Sequence, residues 1–282
     1  MNALLDVPAP AKLNLFLHVT GRRDDGYHLL QSVFMLIDWC DTLHFELRRD
    51  ARITRRDLGM PLPEDDLIVR AARLLQQASG TPLGVDIAID KRIPAQAGMG
   101  GGSSDAASTL LALNRLWQLN LTRPQLEHLG LQLGADVPFF LRGQNAWVEG
   151  IGERITPVAL PAARFAVLKP AAGVDTASIF RHPQLERATK PAIIADFAAD
   201  PYGFGHNDLQ PVAQALCPEV SQALALLESQ GLQARMTGSG SAVFAHLARA
   251  EHAAIQAPDH WVVRECGNLE VHPLQGWAAS DN

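Results

Sequence analysis

The chain has 282 residues, 24 Lys and Arg against 30 Asp and Glu, a net charge of −6 and 47% apolar residues. That length buries a good core in one large or two modest domains. The acidic balance, without a basic cluster beyond short Arg pairs, excludes the footprint of a nucleic-acid binder. Cys40, Cys217 and Cys266 are scattered and odd in number, which excludes a disulfide framework or zinc pattern and favours a reducing, cytoplasmic setting. No apolar run approaches membrane-spanning length and no signal-peptide pattern opens the chain, so no membrane partner is expected.

Residues 11–19 alternate as a strand. Leu13, Leu15, Leu17 and Val19 share one face, and Lys12, Asn14, Phe16 and His18 the other, so Lys12 and Asn14 are neighbours. An Asp25-Gly26 turn signal leads into strands expected at 32–37 and 42–47. Tyr27 and His28 follow that turn; such a pair either packs conventionally or stacks on and hydrogen-bonds a nucleobase. A helix is expected at 67–77, with Leu67, Ala71, Leu74 and Leu75 on one stripe and Gly80 closing it. A strand at 85–93 then runs into Pro94, Ala95, Gln96, Ala97, Gly98, Met99, Gly100, Gly101, Gly102, Ser103 and Ser104, before a helix reaching about 119. Another helix is expected from Thr122-Arg123-Pro124 to Leu133, ended by Gly134. Further on lie a proline-flanked strand at 165–168 and a pattern-poor stretch at 181–206. A helix at 218–231 follows, then a hairpin of 234–236 and 242–247 around Thr237-Gly238-Ser239-Gly240-Ser241. A helix near 249–257 and a strand near 261–265 complete the chain. Strands and helices alternate without the regularity of a doubly wound sheet, so the expected class is α+β in two domains, 1–158 and 159–282.

The glycine loop is the strongest chemical signal. Bare glycines between a strand and a helix let an anion approach the backbone N–H groups at the positive end of the helix dipole, which is a recipe for phosphate. No Gly-Lys pair occurs, which removes the Walker loop, and Ser103 stands where a dinucleotide fingerprint counted from Gly98 needs glycine. Ser103 and Ser104 either cap the helix or offer a hydroxyl to phosphate or Mg²⁺. Only four of the basic residues are lysines, so Lys12 on a half-buried strand suggests either a point-charge role or an edge lysine that snorkels. Asp136, inside an apolar run before Val137-Pro138, is a helix cap, a buried partner or a catalytic carboxylate.

Together, Pro10-Ala11-Lys12-Leu13-Asn14-Leu15, the loop from Pro94 to Ser104 running into Asp105-Ala106-Ala107, and Met236-Thr237-Gly238-Ser239-Gly240-Ser241 resemble the three motifs of the GHMP small-molecule kinases. Asp25-Gly26-Tyr27-His28, Gly134-Ala135-Asp136-Val137-Pro138-Phe139 and Thr176-Ala177-Ser178-Ile179-Phe180 narrow the likeness further. They point to members of non-mevalonate isoprenoid synthesis whose acceptor carries a cytidine diphosphate group. The resemblance implies two α+β domains with the active site in their cleft, and ATP with Mg²⁺ as phosphoryl donor to the 2-hydroxyl of an erythritol unit. It implies Asp136 as the base toward that hydroxyl, beside Lys12 as a cation that keeps it ionised or polarises the attacking oxygen. It also implies the loop from Pro94 to Ser104 over the phosphates, Asn14 orienting the acceptor, Tyr27 stacked on cytosine, His28 reading its edge, and Thr176 as a further substrate contact. Two positions depart from the family pattern. Met99 replaces a usual leucine, a near-isosteric change. Asp66 stands where asparagine is frequent and where an adenine-side contact is implied.

Overall fold

The computed structural model describes residues 1–248 and 255–281. β1 (Ala3–Arg22) and β2 (His28–Arg48) form a long antiparallel pair. β3 (Ile53–Asp57) lies parallel to β4 (Gly84–Asp90), which joins the second half of β2. Helices α1 (Leu67–Ser79), α2 (Gly101–Leu116), α3 (Arg123–Leu131) and α4 (Val137–Arg142) intervene before the hairpin of β5 (Ala146–Gly150) and β6 (Arg154–Pro157). β5 pairs with the first half of β2, giving the order β3-β4-β2-β5-β6 with β1 also paired to β2. The core on the helical face joins Leu43, Phe45 and Ile87 of the sheet to Leu110 and Leu113 of α2 and Phe139 of α4. α2 is buried almost all round, its polar Ser104, Asp105, Ser108, Thr109 and Asn114 included, so it lies among its neighbours and not on the surface.

A second sheet takes β7 (Arg164–Lys169), β8 (Ala234–Met236), β9 (Val243–His246) and β10 (Val262–Gly267) in the antiparallel order β10-β7-β9-β8. Between β7 and β8 lie α5 (Thr176–Arg181), α6 (Ile194–Ala199), α7 (Gln210–Leu216) and α8 (Pro218–Glu228). Val220, Ala223, Leu224 and Leu227 of α8 pack with Val212 of α7 and Val243 of β9. A third apolar cluster joins the sheets: Leu13, Leu15, Met35 and Ile37 meet Phe165, Val167 and Phe244. β1 is therefore buried on both faces, and a register shift between Asn14 and Leu17 brings Phe16 into the same cluster as Leu13 and Leu15. That bulge ends the strict alternation read along residues 11–19.

The α+β class matches the expectation, and several boundaries move. β2 runs unbroken where two strands were expected, because Cys40 and Asp41 continue the pairing with Pro10 and Ala9. The β5–β6 hairpin had no counterpart in the sequence reading. The helix expected near 249–257 falls largely outside the described residues. The change of sheet lies between Pro157 and Arg164. Past β10 the chain returns to the first sheet: Leu269 N–H donates to Leu36 at 2.9 Å and His272 N–H to Gly143 at 2.8 Å. No described helix is long and apolar enough to cross a membrane.

Candidate active site

The glycine loop is held from two sides, by β1 and by the 241–242 segment. Lys12 N–H on β1 donates to Met99 O at 3.0 Å. Ser241 N–H donates to Gln96 O at 3.1 Å, and Ala242 N–H to Ala97 O at 3.3 Å. Gly98 and Gly100 both sit at φ +70°, a conformation side chains rarely adopt. Gly100 is the N-cap of α2 and makes no side-chain capping bond, so the first-turn amides depend on another partner. The helix starts at Gly101, earlier than expected, so Ser103 and Ser104 lie inside its first turns and neither is the cap. Ser103 faces the adjoining cleft, whereas Ser104 is fully buried and its hydroxyl has no partner among the described residues.

Beneath the loop, Lys91 Nζ is bonded to Asp41 and lies 2.6 Å from Asp105 Oδ2. Asp41 Oδ1 also accepts from Arg92 N–H at 2.6 Å and Ile93 N–H at 2.7 Å, fastening the strand end to the loop. Burial opposes the Lys91 charge, yet the two carboxylates hold its ammonium above its ordinary value. Burial pushes Asp105 up to about 8, with Lys91 pulling it down and Asp41 adding to the rise. Asp66, the departure at the far side of the cleft, has both oxygens engaged within the chain. One accepts from Val69 N–H at 3.0 Å as the cap of α1, and the other pairs with Arg55 at 2.8 Å.

Three cavities stand in line. The first, about 620 Å³, lies over the glycine loop, with Lys91 and Asp66 on its walls. The second, about 240 Å³, shares Gly98, Gly100, Thr176 and Ser239 with the first and adds Lys12, Asn14 and Asp136. The third, about 450 Å³, shares Leu30, Ile151 and Phe180 with the second and is bounded by Asp25, Gly26, Tyr27 and His28. Thr176 Oγ1 and Ser239 Oγ, 2.6 Å apart, stand where the first two meet.

Lys12 and Asp136 converge in the middle cavity, with Nζ 3.7 Å from Oδ2. Asp136 is at the N-cap of α4, but its carboxylate makes no capping bond, which removes the cap reading raised by its place in the sequence. Lys12 is 4% exposed, donates to Asn14 Oδ1 and lies 4.6 Å above the Phe34 ring. Burial lowers the Lys12 ammonium from its ordinary value, while Asp136 raises it. Asn14 is fixed by Nδ2 donating to Ser32 Oγ and by its N–H donating to Thr237 Oγ1, both at 2.9 Å. In the outer cavity Tyr27 is 62% exposed, and the His28 and Phe180 rings lie 5.0 Å apart.

Three contributors had no role of their own in the sequence, although Ser239 and Phe180 lie within the motifs quoted above. Ser239 sits in a glycine turn that by itself reads as a plain hairpin. Phe180 follows Thr176 by one helical turn on α5, a spacing that places both on one face. Asn207 lies in a stretch where composition has no contrast. Its Nδ2 donates to Met236 O and Gly238 O, each at 2.8 Å, and so ties the 237–241 turn to the 206–208 segment, which pairs with Leu17 of β1.

Comparisons with known proteins define the family. The family model for the GHMP kinase N-terminal domain matches residues 66–144, and that for the GHMP kinase C-terminal domain matches residues 191–259. The chain belongs to the GHMP kinase family of small-molecule phosphotransferases. Within it, the chain groups with the 4-diphosphocytidyl-2-C-methyl-D-erythritol kinases. It is 65% identical to the protein of that name from Polaromonas naphthalenivorans, over 98% of this chain and 97% of the relative. It is 66% identical to that from Albidiferax ferrireducens, over 100% and 98%. A crystal structure of 4-(cytidine 5'-diphospho)-2C-methyl-D-erythritol kinase superposes with a TM-score of 0.75 at 34% identity, covering 92% of this chain and 98% of that one. Homoserine kinase from Cytophaga hutchinsonii, at 16% identity, TM-score 0.66 and coverage of 89% and 86%, shares the fold.

Proposed function

We propose that the chain transfers the terminal phosphoryl group of ATP to the 2-hydroxyl of the erythritol unit of 4-diphosphocytidyl-2-C-methyl-D-erythritol. The observation that carries this reading is the line of three cavities, with Lys12 and Asp136 at its centre. A triphosphate suits the inner cavity, where bare glycine amides and an uncapped helix start face the space. A pyrimidine suits the outer one, between the exposed Tyr27 ring and Phe180, with His28 at its edge. The erythritol hydroxyl then falls between them.

Asp136 accepts the proton of that hydroxyl at its carboxylate. Lys12 places an ammonium beside the oxygens among which negative charge is redistributed, and Asn14 orients both the ammonium and the acceptor. Thr176 and Ser239 border the path between donor and acceptor. Because phosphoryl transfer passes through a loose transition state, alignment and charge stabilisation supply most of the rate. Mg²⁺, when bound with the nucleotide, neutralises charge on the phosphates. Ser103, which lines the cleft where Ser104 is buried, is the loop hydroxyl that would meet it.

The test is Asp136→Asn. Turnover should fall by about 10²–10⁴-fold while nucleotide binding persists, since the amide takes no proton. Near-normal turnover would remove Asp136 as the base. Homoserine, galactose and mevalonate, assayed beside the cytidyl acceptor, should remain unphosphorylated; a preference for any of them would reassign the substrate.

A further inference from the structure

Arg187 lies outside every motif and belongs to the stretch that carried no pattern in the sequence. Its Nε donates to His28 Nε2 at 3.1 Å. The rest of the guanidinium is anchored: Nη1 donates to Leu185 O at 3.0 Å, and Nη2 to Phe180 O at 3.1 Å and His182 O at 2.8 Å. A guanidinium has donors only, so the ring nitrogen it meets must present a lone pair. The proton of a neutral His28 therefore sits on Nδ1, which has no hydrogen-bond partner among the described residues. Phe180, whose carbonyl Arg187 holds, also packs its ring against His28, and both line the outer cavity. One arginine thus sets the position of the aromatic wall and the hydrogen-bonding character of the imidazole.

We propose that Arg187 is a positioning residue that fixes His28 as a donor at Nδ1, making the outer cavity select a pyrimidine whose N3 is a bare acceptor over one that carries N3–H. Cytosine offers that acceptor; uracil places a donor in the same position, and two donors facing each other leave both unpaired. Protonation of His28 would put a second N–H against the guanidinium. Burial, Arg187 and Arg22, in that order, lower the ring from its ordinary value and keep it neutral. The inference rests on the reading of the outer cavity as the nucleobase site.

The full chain is assayed with the cytidyl acceptor and with its uridyl counterpart, and spectra of the ¹⁵N-histidine-labelled protein report the His28 tautomer. The wild-type ring should be protonated at Nδ1. In Arg187→Gln the cytidine-over-uridine ratio of kcat/KM should fall about tenfold, the worth of one hydrogen bond, chiefly through KM for the cytidyl acceptor. KM for ATP should hold, and the His28 signals should move toward a mixture of tautomers. In a His28→Ala background the same substitution should leave the ratio unchanged. An Nε2-protonated ring in the wild type overturns the proposal. So does an Arg187→Gln variant that raises KM equally for both acceptors, which is what merely tying the 180–187 segment would produce. If the wild type phosphorylates neither acceptor, the functional reading fails instead, and the tautomer spectra still decide what Arg187 does to His28.

Discussion

Replacing Gly98 by alanine tests whether the 237–241 turn locks the glycine loop. Two other glycines serve as controls. Gly80, which closes α1, sits at φ +67° with nothing within 4 Å of an added methyl, so Gly80→Ala measures the cost of the left-handed conformation alone. That cost is about 1–2 kcal/mol. Gly98 carries the same dihedral penalty at φ +70°, but its added methyl would strike Thr237 O and lie 2.9 Å from Gly240 N. Those neighbours are main chain and cannot rotate aside, so the turn must back away by roughly 1 Å to restore van der Waals spacing. Gly98→Ala should therefore destabilise by about 1–3 kcal/mol beyond Gly80→Ala, the range for locally strained backbone. A displacement of that size beside the reacting groups should also cost about 10²-fold in turnover. Gly102→Ala has no such conflict: its methyl meets Leu67 Cδ1 at 3.4 Å, an ordinary contact. Its stability should hold or rise by up to about 1 kcal/mol, because alanine is the better helix former. Urea unfolding and steady-state kinetics on the three variants separate these effects. If Gly98→Ala unfolds like Gly80→Ala and keeps full turnover, the turn does not lock the loop.

Two further outcomes are expected. Asp105, held up to about 8 against an ordinary 3.8, keeps in the folded chain a proton that the unfolded chain has released, so its contribution to stability is lost as pH rises across that interval. Asp105→Asn should flatten the decline, read as urea midpoints at several pH values in the window; an unchanged slope would place its source elsewhere. Tyr27→Ala and Phe180→Ala should each raise KM for the cytidyl acceptor by about ten- to a hundredfold, the usual worth of stacking one base, with KM for ATP unmoved. Equal losses for both substrates would point to a disturbed fold.

Much of the site was legible because its signals are local. The glycines that free the loop amides are consecutive with the helix they open, and the alternation along β1 correctly made Lys12 and Asn14 neighbours. Local signals also misplaced details. The serines looked like caps because N-caps are usually hydroxyl residues, yet the chain begins α2 at Gly101 and turns Ser104 into the core. Asp136 stood open between cap, buried partner and catalytic carboxylate, and the structure removes the cap, because its carboxylate is free of the α4 amides. Arg187 and Asn207 gave no signal, since their partners are main-chain carbonyls and a histidine distant in sequence, and such bonds leave no periodicity to detect.

Chain order alone dictates an anion cradle wherever bare glycines precede a helix, because the amides and the dipole are properties of that one segment. The convergence of the glycine loop, Lys12 and Asp136 is different in kind. β1, α4, α5 and the 237–241 turn each bring one piece, and they meet because the apolar faces of two sheets close on each other around Leu13, Met35, Phe165 and Phe244. Burial of that shared core places Lys12 within reach of Asp136, and it is a property of the packed molecule that no single stretch of residues carries.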